Sequence, residues 1–424
     1  MAAATAAAAA AAAATRGMRQ RPELTYKQNV QHGRHGWLRL TPAYSVRLVD
    51  QVLAEFGADA KSVFEPFSGT GTTPLCAGYR GLRAVATDIN PFLIWLGRVK
   101  GARYSEADAR EVANTAQRIA KRLRDGRAKP AAPPPLKNIE RWWSPPELAF
   151  VTELRSEVTR VDSGRVRDLL DVAFSRSMIA LSNAAFNHQS MSFKDPASPN
   201  QRSPREKQRL GFVERFLSDV ETVVDSCTDN PRGRIRIEQG DARGLSKLGD
   251  TDGPFDLLIT SPPYPNRMSY IRELRPYMYW LGFLADAKTA GELDWEAIGG
   301  TWGIATSRLL GWEPTDAFVP RYLRPITTKI RAAHPKNGEL MARYVQKYFH
   351  DMFLHFHAAA KLVRRGGSAH YIVGNSAFYG HLVPSERLFC DQLQKAGFRN
   401  AEARAIRKRN SKKELVEFHV MARR

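Results

Sequence analysis

The chain of 424 residues carries 64 Lys+Arg against 43 Asp+Glu, a formal charge of +21, with only three cysteines. Cys76, Cys227 and Cys390 form no Cys-x-x-Cys pair, which argues against a disulfide framework or a structural zinc site, and no run reaches the roughly 18 consecutive apolar residues of a membrane span. The cation excess points to a polyanionic partner, because each neutralised phosphate releases condensed counterions; a ribosome-bound protein would share that balance.

Met1 to Ala14 is almost pure alanine and lacks the charged n-region of a secretory signal, so residues 1–28 read as a disordered tail. A short apolar strand, Ser62-Val63-Phe64, then leads into Glu65-Pro66-Phe67-Ser68-Gly69-Thr70-Gly71-Thr72-Thr73 and a helical run from Pro74 to Tyr79. Gly69 and Gly71 permit close backbone approach to a ligand, and the helix start behind them favours a carboxylate or phosphate. The next strand, Arg83 to Thr87, ends on Asp88, where an acid can accept hydrogen bonds from two ribose hydroxyls. A dinucleotide fingerprint wants a third glycine where Pro74 stands, which weakens a nicotinamide reading.

The regular alternation then lapses. Helical patterns at Ser105–Asp125, Glu147–Val161, Val166–Asn183 and Phe212–Asp225, with a proline-rich linker from Lys129 to Pro135, predict a helical insertion over residues 101–232. A polar and aromatic loop, Asn187 to Lys194, lies between two of them. Strand character returns at Arg234–Gln239, ahead of Gly240-Asp241-Ala242-Arg243, and at Phe255–Thr260, ahead of Ser261-Pro262-Pro263-Tyr264. The two prolines stiffen this last loop and leave carbonyls free to accept hydrogen bonds. With a Ser hydroxyl and a Tyr ring beside them, they suit a planar ring that bears an exocyclic amine; the plainer alternative is a proline-punctuated turn. A helix at Tyr270–Phe283 precedes an irregular stretch, 284–337, that mixes Trp295 and Trp302 with Arg321, Arg324, Lys329 and Arg331. The next helix, Leu340–Val363, carries His350, His355 and His357 without acidic or Cys partners on their face, so they read as exposed or capping histidines rather than metal ligands. A strand at Ser368–Val373 and a hairpin near Ala401–Arg407 and Leu415–Ala422 complete the pattern. The fold class is therefore α/β: a Rossmann-like, doubly wound, mostly parallel seven-stranded sheet, with ligands at the carboxyl edge where all four loops emerge.

Together, Phe64–Thr73 and Ser261–Tyr264 resemble the amino-methyltransferases of DNA, the S-adenosylmethionine enzymes that methylate cytosine N4 or adenine N6. Their first motif reads Asp-Pro-Phe-x-Gly-x-Gly-Thr-Thr, from which this chain departs only at Glu65. Their catalytic motif is Asp/Asn/Ser-Pro-Pro-Tyr, and the Ser form is associated with cytosine N4. His35 to Ser45 resembles the segment that closes over the methionine end of the cofactor, and Gly240 to Arg243 the segment that contacts its adenine.

The resemblance spans most of residues 30–424. It implies a methyltransferase domain in two parts, 29–100 and 233–424, with 284–337 as either a target-recognition segment or a satellite core. It implies catalytic roles for Ser261, Pro262, Pro263 and Tyr264. Cofactor contacts fall on Tyr44, Glu65, Pro66, Phe67, Gly69, Gly71, Thr72, Asp88, Asp241 and Ala242, with Glu65 orienting the methionine ammonium; no metal is implied. The expected activity is site-specific methylation of cytosine N4 in double-stranded DNA, within a restriction–modification setting, by a cytoplasmic, nucleoid-associated monomer or dimer. Adenine N6 in DNA and a base amine in RNA remain alternatives. Cytosine C5 chemistry needs a Cys nucleophile in a Pro-Cys loop, and no cysteine here follows a proline.

Overall fold

The computed structural model describes residues 18–40, 43–162, 164–185, 192–193, 205–245, 253–266, 268–301, 304–314, 322–409 and 415–424. The alanine tail to residue 17, Thr41-Pro42, most of the Asn187–Lys194 loop, Trp302 and Arg321 lie outside them.

The apolar runs that end in polar loops form the strands: β1 (Ser62–Glu65), β2 (Arg83–Asp88), β3 (Ile235–Gln239), β4 (Phe255–Thr260), β5 (Val363–Gly374), β6 (Arg399–Lys408) and β7 (Val416–Arg423). They make one seven-stranded sheet in the order β6-β7-β5-β4-β1-β2-β3. The five strands from β3 to β5 run parallel, and β7 is antiparallel to both of its neighbours. Strand order reverses between β1 and β4, so their carboxyl ends part to open a crevice.

Alternate side chains of the central strands serve two cores. Val63, Leu257 and Ile259 pack against α1 (Val46–Phe56) and α2 (Thr72–Tyr79). Phe64 and Leu258 face the other layer, built on the long helix Gly338–Leu362. A third core covers the β2–β3 side. There α3 (Pro91–Gly101) packs with α4 (Glu106–Arg124), α5 (Pro145–Thr159), α6 (Arg165–Ala180), α7 (Arg205–Cys227) and α8 (Tyr270–Trp280). Ser105 starts α4 with a capping box, accepting from Asp108 N–H while the Asp108 carboxylate accepts in return.

Two expectations need correction. The 284–337 stretch is not irregular: it contains α9 (Ala287–Glu296), α10 (Ile304–Leu310) and α11 (Leu323–Ala332), ahead of α12 (Gly338–Leu362) and α13 (Ser385–Lys395). Leu309, Leu323 and Ile330 are buried in the same core as Met341 and Val345 of α12, which is what orders these helices. Residues 22–28, assigned to the tail, form 3-10 turns at Pro22–Leu24 and Tyr26–Gln31. Leu24 anchors them by packing on Leu48 and Ile372.

The N-terminal segment is tied down by a buried cation. The Arg34 guanidinium donates to Lys100 O at 2.7 Å, Ala102 O at 2.5 Å, Asn230 Oδ1 at 2.7 Å and Cys227 O. Its plane also lies over the Trp37 and Tyr104 rings. One side chain thus satisfies the carbonyls that end α3 and α7. A lysine offers a point charge rather than a planar fork. Arg34→Lys is expected to lower unfolding free energy by about 2–3 kcal/mol, because buried carbonyls lose their donors; urea denaturation followed by circular dichroism measures this.

Candidate active site

The loop after β1 is held shut by its neighbour strand. Ser68 N–H donates to Thr87 O at 2.8 Å, and Gly69 N–H donates to Asp88 Oδ2 at 2.8 Å. Gly71 caps α2 at φ 77°, and a Cβ there would stand 3.4 Å from the Gly97 Cα of α3, so both the turn and the close approach favour glycine. Asp88 also accepts from Asn90 N–H at 2.9 Å, and burial pushes its carboxyl up to about 6 against these two donors.

Beneath this loop lies Glu65, fully buried at the end of β1. It accepts from Phe67 N–H at 3.0 Å, Thr73 Oγ1 at 2.7 Å, Tyr44 Oη at 3.2 Å and the Thr260 hydroxyl. Tyr44 and Thr73 also share a hydrogen bond. Burial raises the Glu65 carboxyl to about 8 despite these donors. Its oxygens are engaged by these donors, and Glu65 is not among the residues that line the cleft.

The Ser261–Tyr264 loop leaves β4 alongside β5. Ser261 Oγ–H donates to Ile372 O at 3.0 Å, leaving its lone pairs to accept. Tyr348 Oη–H donates to Pro263 O at 2.7 Å, whereas Pro262 O receives no hydrogen bond among the described residues. Tyr264 Oη–H donates to Glu417 Oε1 at 2.9 Å, and Glu417 is in turn gripped by Arg407. The Arg409 guanidinium sits 4.7 Å from the Tyr264 ring centre and donates to Asn375 O at 2.8 Å. Burial beside Glu417 holds the Tyr264 phenol well above its ordinary value.

After β3, Asp241 pairs with Arg243, which also reaches Glu296 O and Asp351. Burial alone would raise the Asp241 carboxyl, but the guanidinium holds it below its ordinary value. Ala242 O accepts from His355 Nδ1 at 3.0 Å, so Nδ1 carries the proton and Nε2 accepts from Tyr371 Oη at 2.9 Å. Phe67 packs edge-on to the same imidazole, with ring centres 4.9 Å apart. His355 is fully buried and His350 nearly so, which corrects the exposed half of the exposed-or-capping reading for both: the apolar stripe of α12 faces inward at these positions. Burial lowers the His355 imidazole to about 4, keeping it neutral.

A single cleft of about 660 Å³ gathers these loops. Tyr44, Pro66, Phe67, Gly69, Asp88, Asp241, Ala242 and all four residues of Ser261–Tyr264 line it. Glu65, Gly71 and Thr72 do not. Motif reading missed Arg407, Arg409 and Glu417 from the terminal hairpin, Lys27 and Arg39 from the N-terminal segment, and Ile298 from the helical 284–337 stretch. The hairpin residues lie in or beside a basic run from Arg404 to Lys413, a pattern that by itself does not single out a site. Among the described residues no His, Cys, Asp and Glu group could hold a metal ion.

Sheet order, glycine turn, strand-end acid and proline loop together support a methyltransferase of the α/β class. A full-length likeness supports the same class. The type II methyltransferase M.BsoBI of Geobacillus stearothermophilus is 20% identical over 448 residues, covering 95% of this chain and 86% of that protein. No family model matches the chain. Looser structural likenesses reach TrmN from Thermus thermophilus (10% identity, 94% of this chain and 52% of that one, TM-score 0.29). The rRNA methyltransferase aviRa from Streptomyces viridochromogenes is similar at 11% identity, with 91% of this chain, 87% of that one and a TM-score of 0.30. The aligned part thus spans about half of the Thermus chain, and superpositions this loose support no comparison of sites.

The position of Glu65 yields a test. Glu65→Gln keeps an uncharged group of the same size and should cost within about 1 kcal/mol, whereas Glu65→Ala strands the hydroxyls of Thr73 and Thr260 and should cost about 2–4 kcal/mol. Folding raises this carboxyl from the usual 4.5 to about 8, so the folded protein keeps a proton that the unfolded chain releases in that interval. The group's contribution is therefore complete below pH 4.5 and is lost as pH rises through about 8. Wild type should lose stability relative to Glu65→Gln across that window, read by denaturant midpoints at pH 5, 6.5 and 8.

Proposed function

We propose that the protein methylates the exocyclic N4 amine of cytosine in duplex DNA, with S-adenosylmethionine as methyl donor. The observation that carries this reading is the meeting of the Ser261–Tyr264 loop and the Pro66–Gly69 loop in one cleft, from adjacent strands β4 and β1. The Ser form of the catalytic loop favours cytosine, and the charge of +21 favours a polyanionic substrate.

The residues present fit the cofactor. The cleft volume is within the range of small-molecule sites. Asp88 offers a strand-end carboxylate to ribose hydroxyls, and Asp241 and Ala242 flank the place of the adenine. Beside Tyr44, the Ser45 hydroxyl is buried on the cleft wall without a hydrogen-bond partner among the described residues. A polar ligand end there would relieve that deficit. When bound, the cofactor supplies an electrophilic methyl on a sulfonium.

The chain's own task is to prepare the amine. The amine lone pair is delocalised into the ring, so it is a poor nucleophile until pulled toward sp3 geometry and aligned. Ser261 Oγ and Pro262 O are the acceptors for its two N–H groups, with the Ser261 proton already committed to Ile372 O. Tyr264, fixed by Glu417 at its hydroxyl and by Arg409 over its ring, stacks on the target. Methylation would leave the amine cationic, still held by Ser261 Oγ and Pro262 O, and its surplus proton would pass to solvent. In a duplex this amine is paired, so the nucleotide must flip out at a cost of a few kcal/mol.

Expression in a methylation-free bacterial host, followed by separate digestion of DNA and RNA and mass analysis of nucleosides, should show N4-methylcytosine in DNA. N6-methyladenine in DNA, or modified RNA beside clean DNA, would overturn the base or the substrate. Tyr264→Ala should lower kcat/KM about 10- to 100-fold through lost stacking, while cofactor binding measured by calorimetry persists. Cofactor affinity should also weaken as pH falls below about 6, where Asp88 takes a proton and offers fewer acceptors. Asp88→Asn should abolish that pH dependence and reduce affinity about tenfold or more.

A further inference from the structure

Residues 18–40 do more than precede the domain. Gln20 to Lys27 and Arg39 reach the cleft, Leu24 anchors the first of these by packing on Leu48 and Ile372, and Arg19 O accepts from Lys408 N–H at 3.3 Å. The N-terminal segment and the β6–β7 hairpin are thereby joined along one side of the cleft. Both are basic where they line it. Several of these cations are already engaged: Arg21 pairs with Glu23, Arg407 with Glu417, and Arg409 with the Tyr264 ring and Asn375 O.

Lys27, Arg39 and Lys408 are not. Among the described residues they make no ion pair and no side-chain hydrogen bond, and Lys27 and Arg39 are exposed. The far side of the cleft has the opposite character. Asp241 and Glu296 stand there, and the guanidinium of Arg243 is saturated by Asp241, Asp351 and Glu296 O. The cleft mouth is therefore polarised, cationic beside the Tyr264 end and acidic beside the Asp241 end.

We infer that the edge formed by Lys27, Arg39 and Lys408 holds the phosphates that flank the flipped nucleotide, so that the target strand runs along the seam between N-terminal segment and hairpin. This rests on the reading of the protein as a DNA methyltransferase. Lys408 directly precedes Arg409, which packs on the ring assigned to the target base, so a base stacked on Tyr264 brings its own phosphates to this edge. The seam then does two jobs, closing the cleft and carrying the backbone. Phosphate contacts of this kind position a strand without reading its sequence.

The test is a salt titration. Binding of a fluorescent DNA duplex is measured by anisotropy for wild type, for Lys27→Ala/Arg39→Ala/Lys408→Ala, and for Lys61→Ala/Arg365→Ala, whose exposed cations lie at the opposite, amino-terminal end of the sheet. The seam variant should reduce the slope of log affinity against log salt by about 0.9 for each phosphate it no longer neutralises, two to three units in all. Its affinity at about 0.1 M salt should fall tenfold or more. The far-ultraviolet circular dichroism spectrum and the thermal unfolding midpoint should stay near those of wild type, which separates a weakened hold on phosphates from misfolding. The control variant should keep the wild-type slope. A seam variant with the wild-type slope, or a control variant whose slope falls as much, overturns the inference. Wild-type protein that neither binds nor methylates DNA overturns the functional reading, and the inference with it.

Discussion

A buried carboxyl under the floor of the cleft, Glu65, is the constraint on which the site depends. Its hydrogen bonds reach the loop after β1 through Phe67, helix α2 through Thr73, the last residue of β4 through Thr260, and the N-terminal approach through Tyr44. Thr260 directly precedes Ser261. The glycine loop and the proline loop are therefore tied together by one buried side chain that does not line the cleft. A charged carboxylate at this depth would be costly, and the raised proton affinity of Glu65 keeps it neutral through most of the physiological range. A neutral acid among three hydroxyls can donate as well as accept, so every member of the network finds a partner.

This role also shows where sequence reading runs out. The strands and their loops were legible because they are local: apolar runs four to six residues long, each ending in a glycine, proline or acid. Strand bounds at Arg83–Asp88 and Phe255–Thr260 follow directly from that pattern. The motif loops could be assigned to one sheet edge for the same reason. The partners of Glu65 could not, since Tyr44 and Thr260 approach it from opposite directions along the chain. Tyr264 is a parallel case: its clamp, Glu417 and Arg409, comes from the last strands, far along the chain. Only the sheet order, which places β7 beside β5 and β5 beside β4, brings them together. His355 was misjudged because its polar identity outweighed its place on the buried stripe of α12, where it links Ala242 to Tyr371.

Charge was legible as a total and misleading as a map. Several basic residues that stand close to others in the sequence are committed within the fold: Arg209 to Glu153 and Leu123 O, Arg331 to Glu339, Arg404 to Glu55 and Glu402. Exposed pairs of this kind add little to stability, but they lower the charge that a partner meets. Cations that line the cleft without such commitments are few and scattered in sequence. Their position is set by packing: Leu24 and Arg34 fix the N-terminal segment, and the antiparallel β5–β7–β6 pairing fixes the hairpin.

In the proposed reaction, hydrogen bonds already made within the fold also bear on how a base would be chosen. Ser261 donates its only proton to Ile372 O, so toward the cleft it can accept but not donate. Pro262 contributes a carbonyl and has no N–H. The two acceptors that Ser261 Oγ and Pro262 O present therefore suit an amine. Cytosine and adenine both present an amine, so these two acceptors do not tell one from the other. Discrimination between them must come from the space around the loop, where Tyr264, Met268, Tyr270 and Ile298 form the wall. Tyr264 cannot swing aside to admit a larger ring without breaking its bond to Glu417 and its contact with Arg409. The size of ring admitted is thus coupled to the terminal hairpin, an element that touches neither the amine nor the methyl group.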